Sequence, residues 1–445
     1  MKNIVLFHLE SLNNVIFNMN QECFPNLRNF IKDATYYPNY YSTATSTYMV
    51  ITDLFFGDTF QFEQSDYLED IFSVKAKKES IFDLLSKYGY ETKCYCYGDK
   101  EGEMAQKRTL VLSSTAKFWG SLNDKIGFIK DIENIVINKE KAFALFFKDM
   151  ESHWMNLPRY SQNVNFESIQ DLFKYKYRML DETFGNILRV LKKSGRYKDT
   201  IIIAYGDHGD EFLGHGLHDG YTHAIEPFPF MVNCPLIMGN VDSSIKSSVI
   251  STIDIYEIIM SVLNDKDYEC NRIFAFSRNL FSKQKASTKA FNKSYMVTDG
   301  KYSLMVSKQG LSLFWCQSDS NNGRNLLDFF RIVDGKVQYK NIYNNLRSSH
   351  YKYIMNSHER EKIIQMTEIL LKQLHHYVYK TYERKVDDLN FNKINYSSDV
   401  CSIELICRLY VRCILKKVVF LIKKIFGIQS LANSRTGEKL HKMFR

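Results

Sequence analysis

The sequence predicts an α/β fold: a mostly parallel central sheet sandwiched by helices, then a smaller C-terminal antiparallel subdomain and a C-terminal amphipathic helix. Three observations predict it. Apolar strand-like runs alternate with helical stretches over residues 1–240. Two of those runs, Asn3–Leu9 and Ile201–Tyr205, lack the alternation of a half-exposed strand and match strands covered on both faces. Residues 295–345 change to short alternating runs separated by Asp299-Gly300 and Asp334-Gly335, the chemistry of antiparallel hairpins.

Taken in order, Asn3–Leu9 is the first strand and carries Glu10 at its tip. Pro25–Ala34 follows as a helix, its proline at a tolerated first-turn position. A dense hydroxyl run, Ser42-Thr43-Ala44-Thr45-Ser46-Thr47, leads into a helix directed toward Phe56-Gly57. Glu79–Tyr88 is an amphipathic helix stopped by Gly89, and Tyr90–Tyr97 alternates as a strand. Lys141–Phe147 is an apolar strand ending at Lys148-Asp149. Phe166–Gly195 is a long helix with its charges on one face, again stopped by glycine. Lys198-Asp199-Thr200 turns into the Ile201 strand, which runs straight into Asp207-His208-Gly209. Ser247–Asn264 is helical, Ser294–Thr298 and Lys301–Val306 are hairpin strands, and residues 356–384 return to a helical pattern. The domain boundaries that follow are 1–345 for a catalytic unit, with its antiparallel subdomain at about 290–345, then 346–400 for a helical extension and 401–445 for a basic tail.

Composition bounds the class. With 45% hydrophobic and 24% charged residues over 445 positions, the chain has the balance of a folded protein. Its nine cysteines form no CxxC pair, which argues against a zinc ribbon or a disulfide framework and for a reducing compartment. Met1-Lys2 leads directly into the first strand with no signal-peptide pattern, so a cytoplasmic location is expected. The net charge of +9 concentrates in one place. Residues 403–428 are strongly apolar but cut by Arg408, Arg412, Lys416, Lys417, Lys423 and Lys424. No uncharged run there reaches the roughly 20 residues of a membrane span. On a helix the cations fall on one half and Val411, Ile414, Val418, Leu421, Ile422 and Ile425 on the other, the pattern of a helix lying on an anionic membrane surface. The alternative is a terminal helix packed on protein. Nucleic acid is not an expected partner, because the basic residues form no aromatic-interleaved stripe.

The candidate chemistry sits at two strand ends. A buried strand ending in Asp207 and His208 places a carboxylate and an imidazole at the carboxyl edge of a parallel sheet, where open α/β folds keep their sites. Four of the 11 histidines, His208, His215, His218 and His223, fall in this segment. The hydroxyl run supplies a nucleophile at a helix N-terminus, where free N–H groups favour an anion, although helix capping is the commoner use of such residues.

At these residues the chain resembles the alkaline phosphatase/sulfatase superfamily. Phe24-Pro25-Asn26-Leu27 with Asn39-Tyr40-Tyr41-Ser42 is similar to its lead-in to the nucleophile, Thr200–Glu211 to its metal strand, and Cys234-Pro235-Leu236-Ile237 to the strand that follows. Sulfatases carry Cys or Ser at the nucleophile position, within a Cys/Ser-x-Pro-x-Arg signature. Here Thr47 stands there, followed by Tyr48-Met49-Val50-Ile51, which argues against sulfate ester hydrolysis. The combination looks like the phosphoethanolamine transferases and the lipoteichoic-acid-synthase-like phosphoglycerol transferases. That resemblance implies Glu10, Thr47, Asp207 and His208 as ligands of one divalent metal, Zn²⁺ or Mn²⁺ ahead of Mg²⁺ or Ca²⁺. A second metal is the alternative count. It implies Thr47 as nucleophile, with Thr45 as the rival, and His153 and His218 as its catalytic partners. Lys148, His153, Trp154, His218 and His223 are implied as substrate contacts; His215 is assigned a structural role.

The implied activity moves phosphoethanolamine or phosphoglycerol from a phospholipid donor to a glycan or lipid-linked acceptor through a phosphothreonine intermediate, at the inner face of the membrane. The alternatives are a phosphodiesterase, phosphatase or sulfatase-like hydrolase of the same superfamily, and a non-catalytic membrane-bound scaffold.

Overall fold

The computed structural model describes residues 1–59, 78–96, 117–122, 125–153, 166–210, 226–241, 249–264, 268–279, 294–307, 310–316, 330–333, 336–339 and 357–382, with isolated positions besides. His215, His218, His223, Trp154 and nearly all of the basic tail lie outside the described residues.

A seven-stranded sheet forms the centre, in the order β2-β8-β7-β1-β6-β4-β5. Its strands are β1 (Asn3–Leu9), β2 (Thr35–Tyr37), β4 (Glu91–Cys96), β5 (Lys117–Ser121), β6 (Phe143–Asp149), β7 (Thr200–Gly206) and β8 (Leu236–Gly239). The run β7-β1-β6-β4-β5 is parallel throughout. β8 pairs antiparallel with both β7 and β2, which closes that side of the sheet. β1, β6 and β7 are buried at every position, as their unbroken apolar runs predict. The α/β class with a mostly parallel central sheet, expected from the sequence, is therefore the one observed, while the expected C-terminal amphipathic helix lies almost wholly outside the described residues.

Helices cover both faces. On one side α3 (Thr47–Phe56), α4 (Ile81–Lys87) and α8 (Thr252–Leu263) pack through Met49, Leu54, Phe55 and Phe82 onto Leu6, Phe146 and Ile203. On the other, α2 (Pro25–Ile31), α5 (Lys125–Ile137) and α6 (Ile169–Lys193) pack on Phe7, Phe147 and Ile202. Short helices α1 (Asn14–Met19) and α7 (Pro229–Val232) complete the chain order before the second sheet. The α6 start is set by Ser168, whose side chain accepts the Asp171 N–H. Gly89 and Gly195 both adopt positive φ just past their helices, as the sequence predicts.

The expected helix over 247–264 begins later, at Thr252. Ile250 and Ser251 form β9, which pairs parallel with β3 (Tyr40–Tyr41). Ser251 and Asp254 form a reciprocal capping box that starts the helix at that point.

The antiparallel subdomain is a four-stranded sheet, β10 (Ala275–Asn279), β11 (Ser294–Thr298), β12 (Tyr302–Ser307) and β13 (Gly310–Trp315), beside a hairpin of β14 (Phe330–Val333) and β15 (Lys336–Tyr339). It takes in β10, upstream of the expected start near 290. Helix α9 (Ser357–Tyr382) covers it, with Tyr377 stacked on Phe276 at 4.4 Å between ring centroids.

Candidate active site

The parallel register brings two distant strand ends together. Leu9 of β1 lies opposite Gly206 of β7, so Glu10 and Asp207 leave adjacent strands at the same level. Gly206 is needed for that closeness: a Cβ there would lie 2.5 Å from the Leu12 carbonyl oxygen and 2.8 Å from Cys234 Cβ. Ser11, the residue after Glu10, holds a left-handed backbone with φ of 52°, a conformation that costs a non-glycine residue on the order of 1 kcal/mol. The turn aims the Ser11 N–H at Asp207 Oδ1, 2.9 Å away, and the His208 N–H donates to the same oxygen at 2.8 Å. Asp207 is thereby held by one oxygen, and its second oxygen faces the site.

Thr47 completes the cluster from α3. Its hydroxyl donates to Glu10 Oε1 at 3.0 Å and stands 3.1 Å from His208 Nε2. His208 Nδ1 lies 3.1 Å from the Gly209 carbonyl. A carbonyl can only accept, so Nδ1 carries the proton and the Nε2 lone pair points into the cluster. Glu10, Asp207 and His208 are fully buried, and Thr47 is 4% exposed.

The structure adds His8, which sequence reasoning missed. Its Nε2 lies 2.9 Å from Glu10 Oε2 and its Nδ1 3.3 Å from the Tyr205 hydroxyl. The consistent arrangement has the Tyr205 O–H donating to Nδ1 and Nε2–H donating to Glu10, so His8 orients a ligand from behind. One signal was available: a histidine at i−2 from Glu10, on the same face of an otherwise apolar strand. Glu10 is held ionised. Burial works against its charge, but the hydrogen bond donated by His8 and the field of His8, His153 and His208 outweigh it and hold the carboxyl well below the ordinary glutamate range.

These residues fit a divalent cation. Glu10 and Asp207 offer carboxylate oxygens within 4.8 Å of each other, with a ring nitrogen of His8 inside the same distance. Asp207 Oδ2, buried, makes no hydrogen bond, although His208 Nε2 and His8 Nε2 lie 3.1 and 3.5 Å away. A buried carboxylate oxygen without a donor is costly unless something else satisfies it, and an ion held by Glu10, Thr47, Asp207 and His208 would do so.

Two further expected residues border the cluster. His153 follows β6, and its carbonyl accepts a 2.5 Å hydrogen bond from Lys176 Nζ of α6. The adjacent Ser152 hydroxyl donates to the Glu10 carbonyl oxygen, tying this loop to β1. Lys148 pairs in register with His8. It is fully buried, its ammonium lies 4.2 Å from the Tyr48 ring centroid, and Nζ makes no hydrogen bond. Burial disfavours its charge, yet the Tyr48 hydroxyl, Cys96 and Glu10 favour it, and the balance sits above the ordinary lysine value. Thr45, the rival nucleophile, is equally buried, but its N–H is spent on the Arg278 carbonyl at 3.3 Å.

Comparison with known proteins bears on the family and the fold. Lipoteichoic acid synthase 1 of Bacillus subtilis (strain 168) is 23% identical over 191 residues, 40% of this chain and 29% of that protein. The match thus spans less than a third of that relative's length. The crystal structure of the lipoteichoic acid synthase LtaP from Listeria monocytogenes superposes with a TM-score of 0.52 at 16% identity, over 73% of this chain and 86% of the other. A protein of the alkaline phosphatase superfamily from Vibrio parahaemolyticus superposes with a TM-score of 0.50 at 15% identity, over 77% and 82%. The sulfatase family model matches residues 2–265, more than half of the chain, and the protein therefore belongs to the sulfatase family, within the alkaline phosphatase/sulfatase superfamily.

Proposed function

We propose that the chain is a metal-dependent transferase that moves phosphoethanolamine or phosphoglycerol from a phospholipid to a glycan or lipid-linked acceptor. The observation that carries this reading is the Thr47 hydroxyl, set between Glu10 and His208 at the ends of two parallel strands. The names of the Bacillus and Listeria relatives, both lipoteichoic acid synthases, support it.

Thr47 attacks the phosphorus of the donor diester. Its proton leaves to the Glu10 carboxylate that it already faces. As the Thr47 O–P bond forms, the P–O bond to the lipid alcohol breaks, and an imidazole, His153 or His218, protonates the departing oxygen. The acceptor hydroxyl then attacks the phosphothreonine, its O–P bond replaces that of Thr47, and the Thr47 hydroxyl is restored. A divalent cation at Glu10, Thr47, Asp207 and His208 would favour the threonine alkoxide and neutralise phosphate charge. The mixed oxygen and nitrogen donors suit Zn²⁺ or Mn²⁺. Lys148 and Tyr48 supply positive charge and a hydroxyl beside the phosphate. Residues 403–428 rest on an anionic membrane surface facing the cytoplasm. Val418 and Leu421, the described residues of that segment, are helical and 44% and 54% exposed, which agrees with an uncovered apolar face. No helix among the described residues is long and apolar enough to cross a membrane.

The test is incubation with head-group-labelled phosphatidylethanolamine or phosphatidylglycerol and Mn²⁺ or Zn²⁺, followed by mass spectrometry. The reading requires diacylglycerol release and an added mass on the peptide containing Thr47. Free labelled head-group phosphate without an acceptor adduct assigns the chain to the hydrolases instead.

A further inference from the structure

The segment that delivers Thr47 has no regular structure of its own. Ser42–Ser46 is almost fully buried and crosses from β3 to the start of α3. Ser46 at the N-cap makes no capping hydrogen bond through its side chain. The segment is held from outside: the Ser42 N–H donates to the Val232 carbonyl at 2.7 Å, the Thr43 N–H to the Thr252 hydroxyl at 3.3 Å, and the second sheet adds more. The Arg278 N–H of β10 donates to the Thr43 carbonyl at 3.0 Å, the Thr45 N–H donates to the Arg278 carbonyl at 3.3 Å, and Ala44 and Arg278 form a parallel bridge. The Arg278 guanidinium adds a third bond to the same segment, Nη1 to the Thr43 carbonyl at 3.0 Å.

The guanidinium also reaches α3. Nη1 and Nη2 meet Asp53 Oδ2 and Oδ1 at 2.6 and 2.9 Å, a two-pronged pair in which both side chains are 0% exposed. Asp53 lies on the helix that Thr47 begins. Burial opposes the Arg278 charge, but Asp53 more than compensates and keeps it above its ordinary value. One side chain therefore grips both the approach to Thr47 and the helix behind it. A fork of this kind fixes orientation as well as distance, which a point charge does not.

We propose that Arg278 is a positioning residue: through its bonds to Thr43 and Asp53 it sets where the Thr47 hydroxyl stands relative to Glu10. The proposal rests on Thr47 being the reacting group. Its consequence is that the antiparallel sheet helps build the site although it contributes none of the expected metal ligands.

Two variants of the full chain test this. Arg278→Lys keeps the charge and loses the fork. The paired variant Asp53→Leu/Arg278→Met removes both charges and refills their space, a replacement that buried ion pairs often tolerate without loss of stability. Each is measured by thermal denaturation, by crystal structure and by turnover of bis(p-nitrophenyl) phosphate with Mn²⁺. We expect the paired variant to melt close to the parent while kcat falls at least about tenfold in both variants and KM stays within about threefold, because a displacement near 1 Å is enough to cost that much. The crystal structures should show Thr47 Oγ1 moved away from Glu10. Thr47 unmoved in both structures overturns the proposal, as does a kcat that returns with stability in the paired variant, or a loss carried by KM. If neither variant folds, the pair serves stability alone and the proposal also fails. A parent chain inactive on the diester counts against the transferase reading, while the Thr47–Glu10 separation still decides this one.

Discussion

Thr47 and Glu10 lie 37 residues apart in the chain and 3.0 Å apart in space, the hydroxyl of one donating to the carboxylate of the other. The contact joins a helix N-terminus to a strand C-terminus, two places where backbone groups already lack partners.

Thr47→Ala removes the reacting oxygen and should lower turnover on the order of 10³-fold or more, because groups that act as a unit fail together. The lost hydrogen bonds should cost about 1 kcal/mol of stability. Thr45→Ala should keep most of the turnover. Steady-state kinetics and thermal denaturation of the two variants, side by side, decide which threonine reacts; the reverse pattern assigns the role to Thr45.

His8→Gln should weaken Mn²⁺ binding about 10- to 100-fold, the usual cost of losing a residue that orients a metal ligand. Titration calorimetry of parent and variant measures it. Equal affinities would mean that Glu10 needs no support from His8.

The low pKa of Glu10 fixes the sign of a pH effect. Its folded-state value lies well below the ordinary value of about 4.5. The stability it contributes is therefore fully present above about 4.5 and is lost as pH falls from there through the folded-state value. In metal-free protein, the difference in melting temperature between parent and Glu10→Gln should stay flat from pH 7 to 5 and move against the parent below 4.5. A difference that changes between pH 7 and 5 would place the responsible titration on a histidine.

Lys148→Met should separate stability from activity. Tyr48, Cys96 and Glu10 favour the buried ammonium in the folded state, so replacing it with an apolar chain of similar length should lower the melting temperature modestly while the variant still folds. Turnover should fall at least about tenfold if the cation faces phosphate in the transition state. Unfolding of this variant would instead make Lys148 a structural residue.

Much of the fold was legible in the sequence because fully covered strands leave an unambiguous apolar run, as at Ile201–Tyr205. Asp207 and His208 were legible for the same reason: polar residues that end such a run stand out. The second sheet's grip on the nucleophile segment was not legible. Arg278 sits in a strand of ordinary polarity, and its partners Thr43 and Asp53 are more than 200 residues earlier, a separation that no local pattern encodes. His8 lay in plain sight but was masked by the apolar residues around it. The start of α8 was misjudged because Ile250 and Ser251 extend a helical pattern while pairing with Tyr40 and Tyr41.

β1 occupies the middle of the sheet, flanked by β6 and β7. During synthesis its two edges stay open until residues 143–149 and then 200–206 have emerged from the ribosome, so the earliest-made strand is among the last to be enclosed. Fragments that end before β7 would expose an apolar ribbon with unsatisfied amides along one side. Such truncations should be recovered as aggregates, and chaperones should engage the nascent chain over this interval.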